Sequence, residues 1–403
     1  METLPPDLAI DLELPQPESA STAWSRVTST PVWMACVVYA FSRLVTLLTA
    51  EAVTWVQPNA RVLQVLNAWD GGWYQWIARD GYPDYVGNEP GVAFGNRWAF
   101  APGLPYGIRF IHIITGLSYE VSGIVLTTVA GLCAVIGIAM LVNERLGSDT
   151  ALTTTTLVCF YPAAYVLSMS YTEAVFLALS VWCLWGISRK HWVFAGVLAS
   201  VACLVRVPGN VLVITVVVTA IVAAWRTGSL RPLWAIVVAP IGQMVWMIIQ
   251  WRAVGSPNAS LHAQALWFNK FIWFRTPFRS LWHVLTERSA WSDSQAVMAA
   301  GALVFVSIST VLAIRFALRN RGVIPLEWWL YSAGVILFAL SAFWPHSILR
   351  YTLVAFPLYA AAWHNAPRWC TVPGLAFCGA AMGAIGFAAF FGAVSPLGAP
   401  FAP

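Results

Sequence analysis

Apolar runs of about twenty residues, broken by short polar connections, recur along almost the whole chain. Nothing else in the sequence restricts the fold so strongly, because such a run is long enough to cross the hydrocarbon core of a bilayer as a helix. Backbone inside lipid must satisfy its own hydrogen bonds, so a chain built this way folds as a helical bundle. Eleven segments fit, at about 31–55, 120–142, 150–168, 171–188, 192–205, 210–225, 232–251, 296–316, 326–344, 348–364 and 371–393, with ten to twelve as the acceptable range. The expected class is an all-α polytopic membrane protein. Only 10% of the 403 residues are charged, where a soluble protein has roughly a quarter.

Charge placement orients the bundle. With the N-terminus inside, the short inner connections carry Arg145, Arg189 with Lys190, Arg226 with Arg231, Arg315 with Arg319 and Arg321, and Arg368. Residues 1–30 read as a disordered cytosolic tail, acidic and rich in Pro, Ser and Thr, without the basic start of a signal peptide. A single membrane domain follows over 31–394, and 395–403 form a short outer tail. The 23 tryptophans suit the membrane interface. No basic run interleaves with aromatics as a nucleic-acid surface would require. The seven cysteines lie in or beside apolar segments without metal-type spacing, and read as small buried hydrophobes.

Two outer connections are long, about 56–119 and 252–295. In the second, "ALWFNKFIWFRTPFRSLWHVL" alternates bulky apolar residues with Lys270, Arg275 and Arg279, a pattern for a helix lying in the interface. It also holds the triplet Asn258-Ala259-Ser260, a sequon of a kind that arises often by chance.

The first loop contains "WDGGWYQWIARDGY". Asp70 precedes a short helical stretch that Gly81 can close, so an N-cap is one reading. The other is a general base: a carboxylate among Trp69, Trp73 and Tyr74 is partly desolvated and becomes a better proton acceptor, while the aromatic rings suit the CH-rich faces of a sugar. Asp80 and Asp84 sit in turn-like contexts and read as solvated turn residues. In "SMSYTEA", Ser170 and Glu173 have capping-box spacing, although a Glu at the mouth of a bundle can also bind hydroxyls. In "RVPG", Arg206 falls at an outer junction of two spans. In "WPHSILRY", His346 and Arg350 are four apart at the outer start of a span, whose positive dipole end would complete an anion site; snorkelling of Arg350 to lipid headgroups is the alternative.

These segments, with "RWAFAPGLPYGIR", "YPAAYVLSMSYTEAVFLAL", "LVRVPG" and "RYTLVAFPLY", resemble the GPI mannosyltransferase 2 (PIG-V-like) family of membrane glycosyltransferases over about residues 35–365. The family patterns matched are W/R-W-D-x-x-x-Y/F with a downstream G-Y, F-F-P-L-Y-P, P-x-x-x-x-x-S-x-x-Y-S/T-E-S/A, and T/V-R-x-x-G. The chain departs from them at Ala101, Gly103 and Leu104, where F, L and Y are usual. The resemblance implies a GT-C-type glycosyltransferase bundle with its site on the non-cytosolic face. It implies a polyprenyl-phosphate sugar donor, with mannose in β linkage, a glycolipid or lipoglycan acceptor, and Asp70 as the base of an inverting displacement. From the predicted topology and helix-end electrostatics, Arg350, His346 and Arg206 are the expected phosphate contacts and Glu173 the residue that positions the acceptor, with Trp69, Trp73 and Tyr74 as the sugar-facing aromatics. Neither a cofactor nor a metal is expected. A bacterial plasma membrane is the expected location, with the endoplasmic reticulum as alternative. A lipid-linked-sugar transporter or flippase, or a structural subunit assisting another transferase, are the competing functions.

Overall fold

A computed structural model describes residues 30–91, 95–267, 272–289, 293–364 and 366–394. The acidic N-terminal stretch, Lys270 and residues 395–403 lie outside them. Helices and turns make up the described chain, with no strand among the described residues. Six helical stretches are long and apolar enough to cross a membrane: Val32–Val56, Tyr119–Leu146, Gly209–Thr227, Arg231–Val254, Gln295–Arg319 and Trp369–Val394, with shorter apolar helices at Thr172–Ser188, Trp192–Val205 and Leu326–Leu340. The protein is an all-helical, polytopic membrane protein.

The long helices are α1 (Thr30–Val56), α5 (Tyr119–Leu146), α9 (Gly209–Thr227), α14 (Ser294–Arg319) and α18 (Arg368–Val394). Between them run α7 (Thr172–Ser188), α8 (Trp192–Val205) and α15 (Leu326–Leu340), and a stepped pair α10 (Trp234–Val238) and α11 (Ile241–Val254). Pro240 marks the step; its missing N–H cannot continue the helical ladder.

Two expected spans are broken. The segment expected as 150–168 is α6 (Ser148–Cys159) followed by an irregular stretch and a 3₁₀ turn, Ala164–Ser168. That expected as 348–364 is α16 (Pro345–Thr352) and α17 (Phe356–Ala362). Pro162 and Pro357 remove backbone donors at each break, and the freed carbonyls are met from elsewhere in the bundle. Arg43 on α1, only 6% exposed, donates from Nη1 to Ala164 O at 2.8 Å and to Ser168 Oγ at 2.9 Å, and from Nη2 to Cys159 O at 3.1 Å. Tyr359 Oη donates to Thr352 O at 2.7 Å and Tyr331 Oη to Val354 O at 3.1 Å. Irregular backbone at this depth is tolerated because it is enclosed by protein.

The first long connection folds into α2 (Val62–Leu66), α3 (Asp70–Asp80), a 3₁₀ turn at Arg97–Ala99, and α4 (Gly103–Thr115). A buried ion pair organises it: Arg97 Nε lies 2.9 Å from Oε1 of Glu89, which is 3% exposed, and Arg97 Nη1 donates to Gly81 O at 2.8 Å. The second contains α12 (Ala259–Leu266) and α13 (Arg275–Thr286). On α13, Phe278, Trp282 and Leu285 share one exposed apolar face, the form expected of an interfacial helix. The two connections meet: Gln264 Nε2 donates to Ala99 O at 2.6 Å, and Trp73 packs edge-on to Trp267 with ring centroids 5.1 Å apart. Trp344 Nε1 donates to Trp267 O at 3.2 Å, which ties this assembly to the start of α16.

Candidate active site

Four helix ends converge beneath these two connections. Asp70 opens α3, Glu173 lies in the first turn of α7, Arg206 caps the end of α8, and Arg350 lies in the last turn of α16. Their side chains form an alternating row of charge. Arg350 Nη1 donates to Asp70 Oδ2 at 2.8 Å. Arg350 Nε lies 3.1 Å from Glu173 Oε1, and Arg206 Nη1 lies 3.0 Å from the same oxygen. Burial falls off along the row: the Glu173 side chain is 1% exposed, Arg350 8% and Arg206 9%, whereas Asp70 is 30% exposed. Asp70 is therefore the open end of the row and Glu173 its enclosed hub.

The local structure decides against capping at both acidic positions. The N-cap of α3 is Trp69, which makes no side-chain cap, and Asp70 is the first helical residue with its carboxylate turned to Arg350. Trp69 takes φ 50°, in the left-handed region that a bulky side chain rarely adopts. Strain of this kind collects at functional sites. Gly81 closes α3 as expected, at φ 77°, with its N–H bonded to Ile77 O. At α7 the cap is Tyr171, again without a side-chain bond; Ser170 Oγ donates to Asn67 Oδ1 instead, and Glu173 faces the two arginines. The capping box does not form because both of its polar groups have tertiary partners.

The arginines are also sandwiched by tyrosines. Arg350 lies 5.2 Å from the Tyr171 ring centroid and 5.4 Å from that of Tyr351, and Arg206 lies 4.7 Å from the Tyr351 ring. Tyr171 Oη, Glu173 Oε2 and Arg350 Nε are buried without a hydrogen bond. Buried polar groups left unsatisfied in a native protein ask for an explanation, and a substrate-binding cluster is one.

The remaining expected site residues fall in different places. His346 lies at the start of α16, and its side chain is outside the described ones. Arg350 lies at the other end of that short helix, committed to two carboxylates, so helix start and guanidinium do not form one anion pocket. Trp69 packs on the main core. Trp73 stacks on Phe100 at 5.6 Å, and Tyr74, 6% exposed, meets the same ring edge-on at 5.2 Å. Burial raises the Tyr74 phenol well above its ordinary range, with the negative charge of Asp70 adding to the shift, so it remains neutral. Asp80 ends α3 in an exposed ion pair with Arg79 at 3.0 Å, whose hydrogen bond holds its carboxyl below the usual range. Asp84 sits in a bend. Sequence reasoning missed Arg43, Tyr171 and Tyr351. Arg43 carried a usable signal, a lone charge within an apolar run.

Two glycines allow the helix ends to close on one another. A Cβ on Gly103 would lie 2.8 Å from Leu204 O, and one on Gly209 would lie 2.4 Å from the Ala202 carbonyl. Both approaches fall on the last turn of α8, just before Arg206. Glycine at 103 thus has a packing reason.

No family model matches this chain, and no curated protein matches it. Among solved structures it is similar to ArnT from Cupriavidus metallidurans in the apo state, with 14% identity and a TM-score of 0.49 over 93% of this chain and 77% of that one. It is also similar to the Archaeoglobus fulgidus oligosaccharyltransferase in the apo form, with 12% identity and a TM-score of 0.47 over 95% of this chain and 57% of the other. The same archaeal protein tethered with an acceptor peptide containing the NVT sequon gives 12% identity and a TM-score of 0.46, over 91% and 56%. The chain thus spans little more than half the length of the archaeal protein.

Proposed function

We propose that this protein is a GT-C-type membrane glycosyltransferase. It would transfer a sugar, mannose on the family resemblance, from a polyprenyl phosphate to a glycolipid or lipoglycan acceptor at the extracytoplasmic face. The observation that carries the proposal is the 2.8 Å pair between Asp70, the accessible end of the charge row, and the buried Arg350. It brings into one cluster a proton acceptor and a cation that can meet a phosphate, the two groups a displacement from a lipid phosphate uses; in-line inversion needs them on opposite faces of the sugar, so the pair parts as substrate enters.

Asp70 uses only Oδ2 in that pair, and Oδ1 is the oxygen offered to an acceptor hydroxyl. In the displacement Asp70 takes the hydroxyl proton as the acceptor oxygen attacks the anomeric carbon. The bond from that carbon to the phosphate oxygen breaks, and its electron pair leaves with the phosphate. Arg350, whose Nη2 has no hydrogen bond among the described residues, stabilises the charge developing there. As its guanidinium turns toward phosphate it loosens its hold on Asp70, and the carboxylate becomes available as a base. Glu173 and Arg206 act through Arg350 by fixing its position.

Asp70→Asn is the direct test. The carboxamide keeps the shape and does not disturb a cap, since Asp70 makes none. Transfer from polyprenyl-phosphate mannose should fall by about 10²–10⁴-fold with the thermal midpoint close to that of the parent. Unimpaired transfer by this variant would remove the assignment.

A further inference from the structure

The α7–α8 hairpin has a second chemically distinctive end. Glu173 and Arg206 close one end; α7 has 17 residues, so its far turn lies about 20 Å from Glu173 at 1.5 Å per residue. There a cleft of about 600 Å³ opens between that turn and the start of α10, lined by Trp185, Lys190, His191, Trp192, Arg231 and Trp234 among others. None of its lining residues is acidic. The neighbouring Arg189 is neutralised by Glu144 at 2.7 Å, while Lys190 and Arg231 have no ion-pair partner among the described residues. Lys190 holds φ 61°, a left-handed position where glycine or asparagine is favoured. Trp185 Nε1 is buried without a hydrogen bond.

We infer that this cleft binds the phosphate headgroup of an anionic membrane lipid. Two unpaired cations and an imidazole supply the attraction. The surroundings select a lipid over a dissolved anion: Trp234 is 64% and Trp225 83% exposed at the same end of the bundle, where amphipathic rings sit at headgroup depth and acyl chains would lie against them. The site shares no residue with the charge row around Asp70, so it stands or falls apart from the proposed transferase activity.

Thermal unfolding of the purified full chain in detergent tests the inference, with dioctanoyl-phosphatidylglycerol, dioctanoyl-phosphatidylcholine and inorganic phosphate as separate titrants. Phosphatidylglycerol should raise the midpoint saturably, phosphatidylcholine should not, and phosphate should act only at far higher concentration. The double variant Lys190→Ala/Arg231→Ala should need about thirtyfold more phosphatidylglycerol for half-saturation, whereas Lys190→Arg/Arg231→Lys should behave as the parent. Equal responses to both lipids, or an unchanged titration in the alanine variant, would overturn the site; an equal response to phosphate and phosphatidylglycerol would overturn the lipid assignment. If the double alanine variant does not fold, Lys190→Gln and Arg231→Gln singly, at exposed positions, must each weaken the phosphatidylglycerol response.

Discussion

At the scale of single residues, the site is a problem of placing charge where water is scarce. Glu173 is 1% exposed and lies within 3.1 Å of two arginines, so its negative charge holds both in place. Removing one member of a buried ion pair leaves the other uncompensated, at a cost of about 3–5 kcal/mol. Glu173→Ala should therefore lower thermal stability sharply, and Glu173→Gln, which retains the volume, less so; melting of the purified variants measures the difference. Arg350→Ala should raise the KM for the lipid-phosphate donor more than that for the acceptor, and steady-state kinetics with each substrate varied in turn would separate the two. The sequence singled out Asp70 as a carboxylate among tryptophans beside a membrane, readable as a cap or as a base. Its pairing was not legible, since Arg350 is 280 positions away and only the folded bundle joins them. The capping readings failed for the same reason: local spacing cannot report a distant guanidinium.

At the scale of elements, helix positions followed from apolar length, but the breaks did not. Hydrophobic residues continue across Pro162 and Pro357, so composition there suggests uninterrupted spans. What permits the interruptions is a set of remote donors, Arg43, Tyr331 and Tyr359, that accept the burden of the exposed carbonyls. Arg43→Leu should unpair the carbonyls of Cys159 and Ala164, each at a cost of about 1–3 kcal/mol. Because the 3₁₀ turn it holds leads directly into the segment bearing Glu173, transfer should fall together with stability, and assays of both should show Arg43→Lys retaining part of each. The Gly103 contact joins distant parts of the chain and the Gly209 contact neighbouring ones, and both bear on the last turn of α8. Alanine at either position should cost about 1–3 kcal/mol through overpacking, more at Gly209, where the approach is the tighter at 2.4 Å. Comparing the melting of the two variants checks that order.

At the scale of the whole molecule, the helical bundle has two unlike ends. One gathers the long connections, the aromatic nest of Trp73, Phe100 and Trp267, and the charge row. The other carries short basic turns such as Arg189–Lys190 and Arg231. By the basic-loop rule the second end is the one expected in the cytosol. Cysteines introduced singly at Tyr85 and at Lys190, in a background without the native seven, should react with a membrane-impermeant maleimide from opposite sides of the membrane, Tyr85 from outside. Labelling of both from one side would reverse or collapse the topology on which the proposed extracytoplasmic reaction depends.

The Asp70–Arg350 contact has one more consequence. A single guanidinium cannot clasp both a carboxylate and an incoming phosphate with the same N–H group, so on the proposed mechanism the resting protein keeps its proton acceptor latched. Arrival of the lipid-borne sugar springs the latch, and an acceptor that docks earlier meets a carboxylate still held by the guanidinium through Oδ2. Such a protein follows a compulsory sequence, donor first, which product-inhibition patterns would reveal, and once the donor is seated its freed base faces water until an acceptor docks, so slow hydrolysis of the donor without acceptor should accompany that order.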